Sequence, residues 1–165
     1  MYVLIAIIGY PIAISLIAIG LPIQALLLLV TLPFDRNRVV AGRFLRLVGE
    51  GISRCFPPWR LEVQGRWPEG GPFVVVANHQ SILDILMLAR LPREMKWVAK
   101  EELFRIPWAG WMLRMAGDIP IRRGDPESGE EALARARAYL GRGMSVMIFP
   151  EGTRSAKGTL LPFKS

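Results

Sequence analysis

The hydrophobic pattern splits the chain in two. No Asp, Glu, Lys or Arg occurs between Met1 and Phe34, and seventeen of residues 3–30 are Ile, Leu or Val. At about −0.3 to −0.6 kcal/mol each near the bilayer centre, these side chains favour insertion by roughly 5 to 10 kcal/mol. Gln24, Pro11 and Pro22 oppose insertion without cancelling it. One span needs about 20 residues. The run therefore fits either one long tilted helix or two segments broken near Gly20-Leu21-Pro22, which would make a re-entrant hairpin. Residues 1–34 are expected to be a membrane anchor of one of these kinds. A cleaved signal peptide fits poorly, because there is no basic n-region and no A-x-A-like site closes the run.

Beyond the anchor the periodicity changes. Residues 37–55 place apolar side chains at 40, 44, 45, 47, 48 and 52 with arginines at 38, 43, 46 and 54, a loose amphipathic pattern. It predicts a basic helix over 35–58, either lying on a membrane surface or packed as an ordinary domain helix. Pro57-Pro58 ends it. RLEVQG (60–65) alternates like a half-buried strand. FVVVA (73–77) and SVMIF (145–149) read as strands buried on both faces, and KWVAK (96–100) as a short strand. SILDILMLAR (81–90) opens a helix. Pro107 starts another that Gly117 closes. DIPIRR (118–123) is a short strand or loop. Ser128 and Glu131 have capping-box spacing for a helix through EEALARARAYL, which Gly141 or Gly143 would end. Strands alternating with helices imply an α/β fold: a mostly parallel or mixed sheet flanked by helices, preceded by the apolar anchor.

Composition adds direction. The chain carries 21 Lys and Arg against 14 Asp and Glu, a net of +7. Seven arginines and three acids fall between Asp35 and Arg66. The positive-inside rule then puts the rest of the chain in the cytoplasm, at an inner membrane. The same charges draw it toward anionic lipid. No nucleic-acid motif accompanies the basic charge, so membrane lipid is the expected partner and nucleic acid is not. A single Cys suits a reducing compartment. One Cys and one His leave no zinc set, and no metal is expected.

The only histidine, His79, precedes Asp84 by five residues in NHQSILD. A neutral imidazole takes a proton from a hydroxyl near pH 7, and a carboxylate on its other nitrogen fixes the tautomer. Five residues of helix make about 1.4 turns, so the two side chains can meet at a strand-to-helix turn. In parallel sheets, ligands bind at the carboxyl ends of strands. His79 follows one apolar strand and Glu151 to Arg154 follow another, so both turns can face one crevice.

NHQSILD, KEELFRIPWAG, GDIPIRR and FPEGTRS occur in that order, and together they resemble the glycerolipid acyltransferase family, specifically the bacterial 1-acyl-glycerol-3-phosphate acyltransferases. The resemblance implies acyl transfer from an acyl-CoA or acyl carrier protein thioester to the sn-2 hydroxyl of lysophosphatidic acid. Those thioesters are co-substrates; no cofactor is expected. It implies that His79 is the general base and Asp84 its orienting partner, with Ser81 a capping or turn residue. It implies an acceptor site in which Gly152, Thr153 and Arg154 take the phosphate and Glu151 positions Arg154 or the glycerol hydroxyls, joined by Arg123, Lys100 and, more weakly, Lys164. Arg122 and Pro120 stand where the family commonly has Asp or Asn and an aromatic. By the same resemblance, residues 59–165 are the acyltransferase catalytic domain, and the family domain is expected to continue beyond Ser165. Other acceptors (a lyso-ornithine lipid, another lysophospholipid, glycerol 3-phosphate) and a catalytically silent membrane-binding module are the alternatives.

Overall fold

The structure, a computed structural model, describes residues 2–56, 62, 64–152 and 163. Helix α1 (Tyr2–Thr31) runs unbroken through Pro11 and Pro22. The break near Gly20-Leu21-Pro22 is therefore absent. Part of the reason is close packing, since Gly20 lies against Val48, Met112 and Phe44. Its stretch Ile7–Thr31, with a mean hydropathy of 2.5, is long and apolar enough to cross a membrane.

Helix α2 (Val39–Arg54) returns antiparallel along α1, with Tyr10 packed edge-on against Phe56 at 5.7 Å. α2 is a packed helix: Ala41, Gly42, Arg46, Val48 and Ser53 are buried. Arg46, part of the expected polar face, instead donates to both carboxylate oxygens of buried Asp118, at 2.5 and 2.8 Å, and stacks over the Trp97 ring at 4.6 Å. Gln24, polar and fully buried in α1, donates through Nε2 to the Ala41 and Met112 carbonyls, both at 3.0 Å.

The remaining elements are β1 (Val74–Val76), α3 (Ile82–Leu88), β2 (Met95–Lys100), a 3-10 turn (Glu101–Arg105), α4 (Ala109–Ala116), β3 (Ile119–Ile121), α5 (Pro126–Leu140) and β4 (Ser145–Ile148). The four strands form one parallel sheet in the order β1-β4-β2-β3. One face packs Met95, Trp97 and Met147 against Ile85 and Leu88 of α3. The other packs Ile119 and Val146 against Ala132, Ala136 and Tyr139 of α5. The α/β architecture expected from the alternating pattern is thus present.

Three local readings change. β1 is not buried on both faces. It is an edge strand, and α5 covers the other strands instead, leaving Val74 and Val76 54% and 57% exposed. Half of the strand expected at 60–65 lies outside the described residues; Glu62 and Gln64 are exposed and irregular. α5 begins earlier than the capping-box spacing suggested. Asp125 is its N-cap, accepting from the Ser128 N–H, with Pro126 in the first turn. Ser128 lies inside the helix and its hydroxyl accepts from the Arg122 N–H at 2.8 Å. Asp-Pro supplies both a capping oxygen and a preset φ, so it wins over a serine one turn on.

Candidate active site

β1 ends at Val76, and after five intervening residues the chain enters α3 at Ile82. Ser81 is the N-cap in extended backbone, and its hydroxyl accepts from the Leu83 N–H at 3.2 Å. Asp84, three residues on, reaches back so that Oδ2 accepts from the backbone N–H groups of Gln80 (2.6 Å) and Ser81 (2.8 Å). This reciprocal cap satisfies donors that a helix start otherwise leaves unpaired. It also aims the carboxylate at His79, whose Nδ1 lies 3.0 Å from the same oxygen.

Burial works to raise the Asp84 pKa, but the Ser81 and Gln80 N–H groups and His79 outweigh it and hold the carboxyl below its ordinary value of 3.8. Asp84 is therefore ionised at neutral pH and accepts a hydrogen from Nδ1. That assignment leaves Nε2 with a free lone pair. His79 is 7% exposed, and its ring stacks on Phe149 with centroids 4.3 Å apart and planes 28° from parallel.

Phe149 follows β4 directly, and β4 is the sheet neighbour of β1. The stack therefore joins the two turns that the sequence placed at strand ends. Glu151 is buried in the β4 turn, and Gly152 follows at φ 62, with its N–H donating to the Phe149 carbonyl at 3.0 Å. That left-handed backbone favours glycine. Thr153, Arg154 and Lys164 lie outside the described residues. Lys100 closes β2 and pairs with Glu102 at 2.9 Å; Arg123 follows β3 and is exposed. Both share the carboxyl edge with His79. At about 4.8 Å per strand, they sit roughly 10 and 14 Å along it and outside the His79–Phe149 cluster.

Phe149 was absent from the sequence-derived set, because its position closes an apolar run that reads as core. The Gln80 and Ser81 amides were missed too, although Ser at the cap with Asp three residues later carries the signal. Among the described residues no group of His, Cys, Asp and Glu is arranged to hold a metal.

The sequence model of the Acyltransferase family matches residues 60–165. The chain belongs to that family. Among curated family members, it is 40% identical over 134 residues to a chloroplastic 1-acyl-sn-glycerol-3-phosphate acyltransferase of Brassica napus, covering 79% of this chain and 39% of that one. It is 42% identical over 111 residues to the human alpha form of an acyltransferase of the same name, covering 64% of this chain and 38% of that one. Among solved structures, the 1-acyl-sn-glycerophosphate acyltransferase PlsC of Thermotoga maritima superposes with a TM-score of 0.70 at 30% identity, over 98% of this chain and 65% of that one. The chain thus spans about two-fifths of the length of the plant relative.

Proposed function

We propose that this chain transfers an acyl group from a CoA or acyl carrier protein thioester to the sn-2 hydroxyl of lysophosphatidic acid, giving phosphatidic acid. The supporting observation is the 3.0 Å contact between His79 Nδ1 and a carboxylate held ionised by two backbone N–H groups. The relatives' names, as 1-acyl-sn-glycerol-3-phosphate acyltransferases, support the acceptor.

In this reading His79 Nε2 takes the proton of the acceptor hydroxyl while its oxygen attacks the thioester carbonyl. Asp84 stabilises the imidazolium that forms. The tetrahedral intermediate collapses with loss of thiolate, which recovers the proton from His79, so no acyl-enzyme is needed. The stack on Phe149 keeps the ring from turning Nε2 away. Gly152, Thr153 and Arg154 hold the acceptor phosphate, Arg154 through a two-pronged contact, and Glu151 positions Arg154 or the glycerol hydroxyls. Arg123 and Lys100 add positive charge further along the same edge. The apolar α1 and the exposed Trp108 and Trp111 at α4 hold the domain on a bilayer, on the cytoplasmic face of the inner membrane.

The test is turnover by the purified protein with a thioester donor and a panel of lysolipids. Lysophosphatidic acid should be the preferred acceptor. His79→Ala should remain folded and membrane-bound yet lose about 10² to 10⁴ in rate. Full activity in that variant would remove the mechanism, and turnover on no acceptor would favour a silent membrane module.

A further inference from the structure

Far from His79, five arginines converge. A cleft of about 450 Å³ runs along the outer edge of β3, between the carboxyl end of α5 and the α1–α2 connection. Arg36, Arg38, Arg114, Arg135 and Arg142 line it beside Tyr139. β3 and β1 are opposite edges of the sheet, three strand spacings or roughly 14 Å apart. The cleft is therefore separate from the proposed acyl-transfer site.

The positive charge here is uncompensated. Among the described residues, none of these five arginines forms an ion pair. Asp118 also lines the cleft, but Arg46 and the Trp97 N–H occupy its carboxylate. The fold holds the arginines together against their repulsion. Arg38 adopts a left-handed backbone, φ 52, and its carbonyl accepts from buried Lys96 at 3.1 Å. Its guanidinium donates to the Arg114 carbonyl at 2.7 Å. The Asn37 side chain donates to the Arg142 carbonyl at 3.2 Å, and Arg142 stacks on Tyr139 at 4.8 Å.

A second feature begins one residue further on. Leu27, Val39, Val40, Phe44 and Leu47, together with Arg43, line a largely apolar groove of about 320 Å³ between α1 and α2. Phe34, in the same connection, is 89% exposed. A cluster of guanidinium groups takes a phosphate, and an open apolar groove takes a hydrocarbon chain.

We propose that the α1–α2 connection binds a bilayer phospholipid with an anionic headgroup, its phosphate in the arginine cleft and an acyl chain in the adjoining groove. A free phosphate would match the arginines and leave the groove empty, so a lipid fits the pair of features better. The proposal rests on membrane association of the chain, and not on the acyl-transfer chemistry.

The test is vesicle flotation of the full chain with phosphatidylcholine alone and with added phosphatidylglycerol. Arg135→Gln with Arg142→Gln should weaken binding to the anionic vesicles about 30-fold, the effect of two arginines at about 1 kcal/mol each. Binding to neutral vesicles should not change. Arg66→Gln with Arg137→Gln removes the same charge from outside the cleft and should cost less than about 5-fold, one arginine's worth. Val40→Gln with Leu47→Gln, both at exposed positions, should weaken binding to both vesicle types. Equal losses from the two arginine pairs would mean diffuse attraction and overturn the site, as would no loss from either. Inorganic phosphate that releases the protein from anionic vesicles better than chloride of equal ionic strength would assign the cleft to a soluble anion. Failure of the unaltered chain to bind even neutral vesicles would instead strike at membrane association itself.

Discussion

Replacing Asp84 with asparagine tests the proposed chemistry most sharply, because the change is nearly isosteric. Asp84 Oδ2 accepts three hydrogen bonds, from His79 Nδ1 at 3.0 Å and from the Gln80 and Ser81 amides at 2.6 and 2.8 Å. An asparagine oxygen still accepts from the two amides, so the helix cap weakens by only about 1 kcal/mol. The charge is lost, and with it the support for an imidazolium on His79. The same oxygen faces Nδ1, so the tautomer is kept and the loss falls on the imidazolium's missing countercharge. The same replacement in the Ser-His-Asp triad costs about 10⁴ in kcat. Here we expect a fall of about 10² to 10⁴, or ~3 to 5 kcal/mol of transition-state stabilisation. The KM for the acceptor should stay within about threefold, since Asp84 is not among the residues proposed to bind the phosphate. Release of free thiol from the thioester, followed at saturating acceptor, reads kcat; a far-UV melt of the same sample reads folding. Stability supplies a second readout. The native Asp84 pKa lies below 3.8, so its contribution is fully present above 3.8 and is lost as pH falls through the lower, folded value. The substituted amide has no such ionisation, and the variant's stability should fall less steeply below that pH. A kcat within threefold of the parent, in a protein that melts normally, would refute the pairing.

Other outcomes follow from the same geometry. Arg154→Ala should raise the acceptor KM about 10- to 100-fold through loss of a charged hydrogen bond, with the thioester KM unchanged; initial-rate kinetics check it. Gly110→Ala would place a Cβ within 2.3 Å of the Phe104 carbonyl oxygen, so overpacking should cost about 1 to 3 kcal/mol and lower Tm by roughly 2 to 10 °C. Lys96, fully buried, donates to the Ala116 and Arg38 carbonyls and lies 3.4 Å from Glu94. Lys96→Met takes away the ion-pair partner of buried Glu94, leaving Arg46 as the other cation acting on it, and should cost about 3 to 5 kcal/mol. Adding Glu94→Gln should return part of that loss in a denaturant titration.

Much of the site could be read from residue order because its parts are local. His79, Ser81 and Asp84 fall within one turn and one cap, and cap chemistry depends on spacing along the chain. What was not legible depends on partners distant in sequence. FVVVA has the composition of a central strand, and only the strand order makes it an edge. Arg46 looks like a surface residue of an amphipathic helix until Asp118, 72 residues away, is brought beneath it. Phe149 ends an apolar run and stays packed on the Trp97 core, and only the neighbouring β1 turn brings the imidazole onto its ring. The continuity of α1 depends likewise on α2 and α4, since two prolines and a Gly-Leu-Pro step argue locally for a break.

Gln24 ties the greasy helix to α2 and α4 through one side chain, and α2 in turn meets the sheet where Arg46 lies over Trp97 and pairs with Asp118. Fat-loving segment and proposed reaction centre are therefore linked through packed side chains, which couples the tilt of one to the depth of the other. Any lipid presented to His79 would meet it at a height above the hydrocarbon that the protein itself dictates, as a lathe's fixed bed sets the height of its cutting tool.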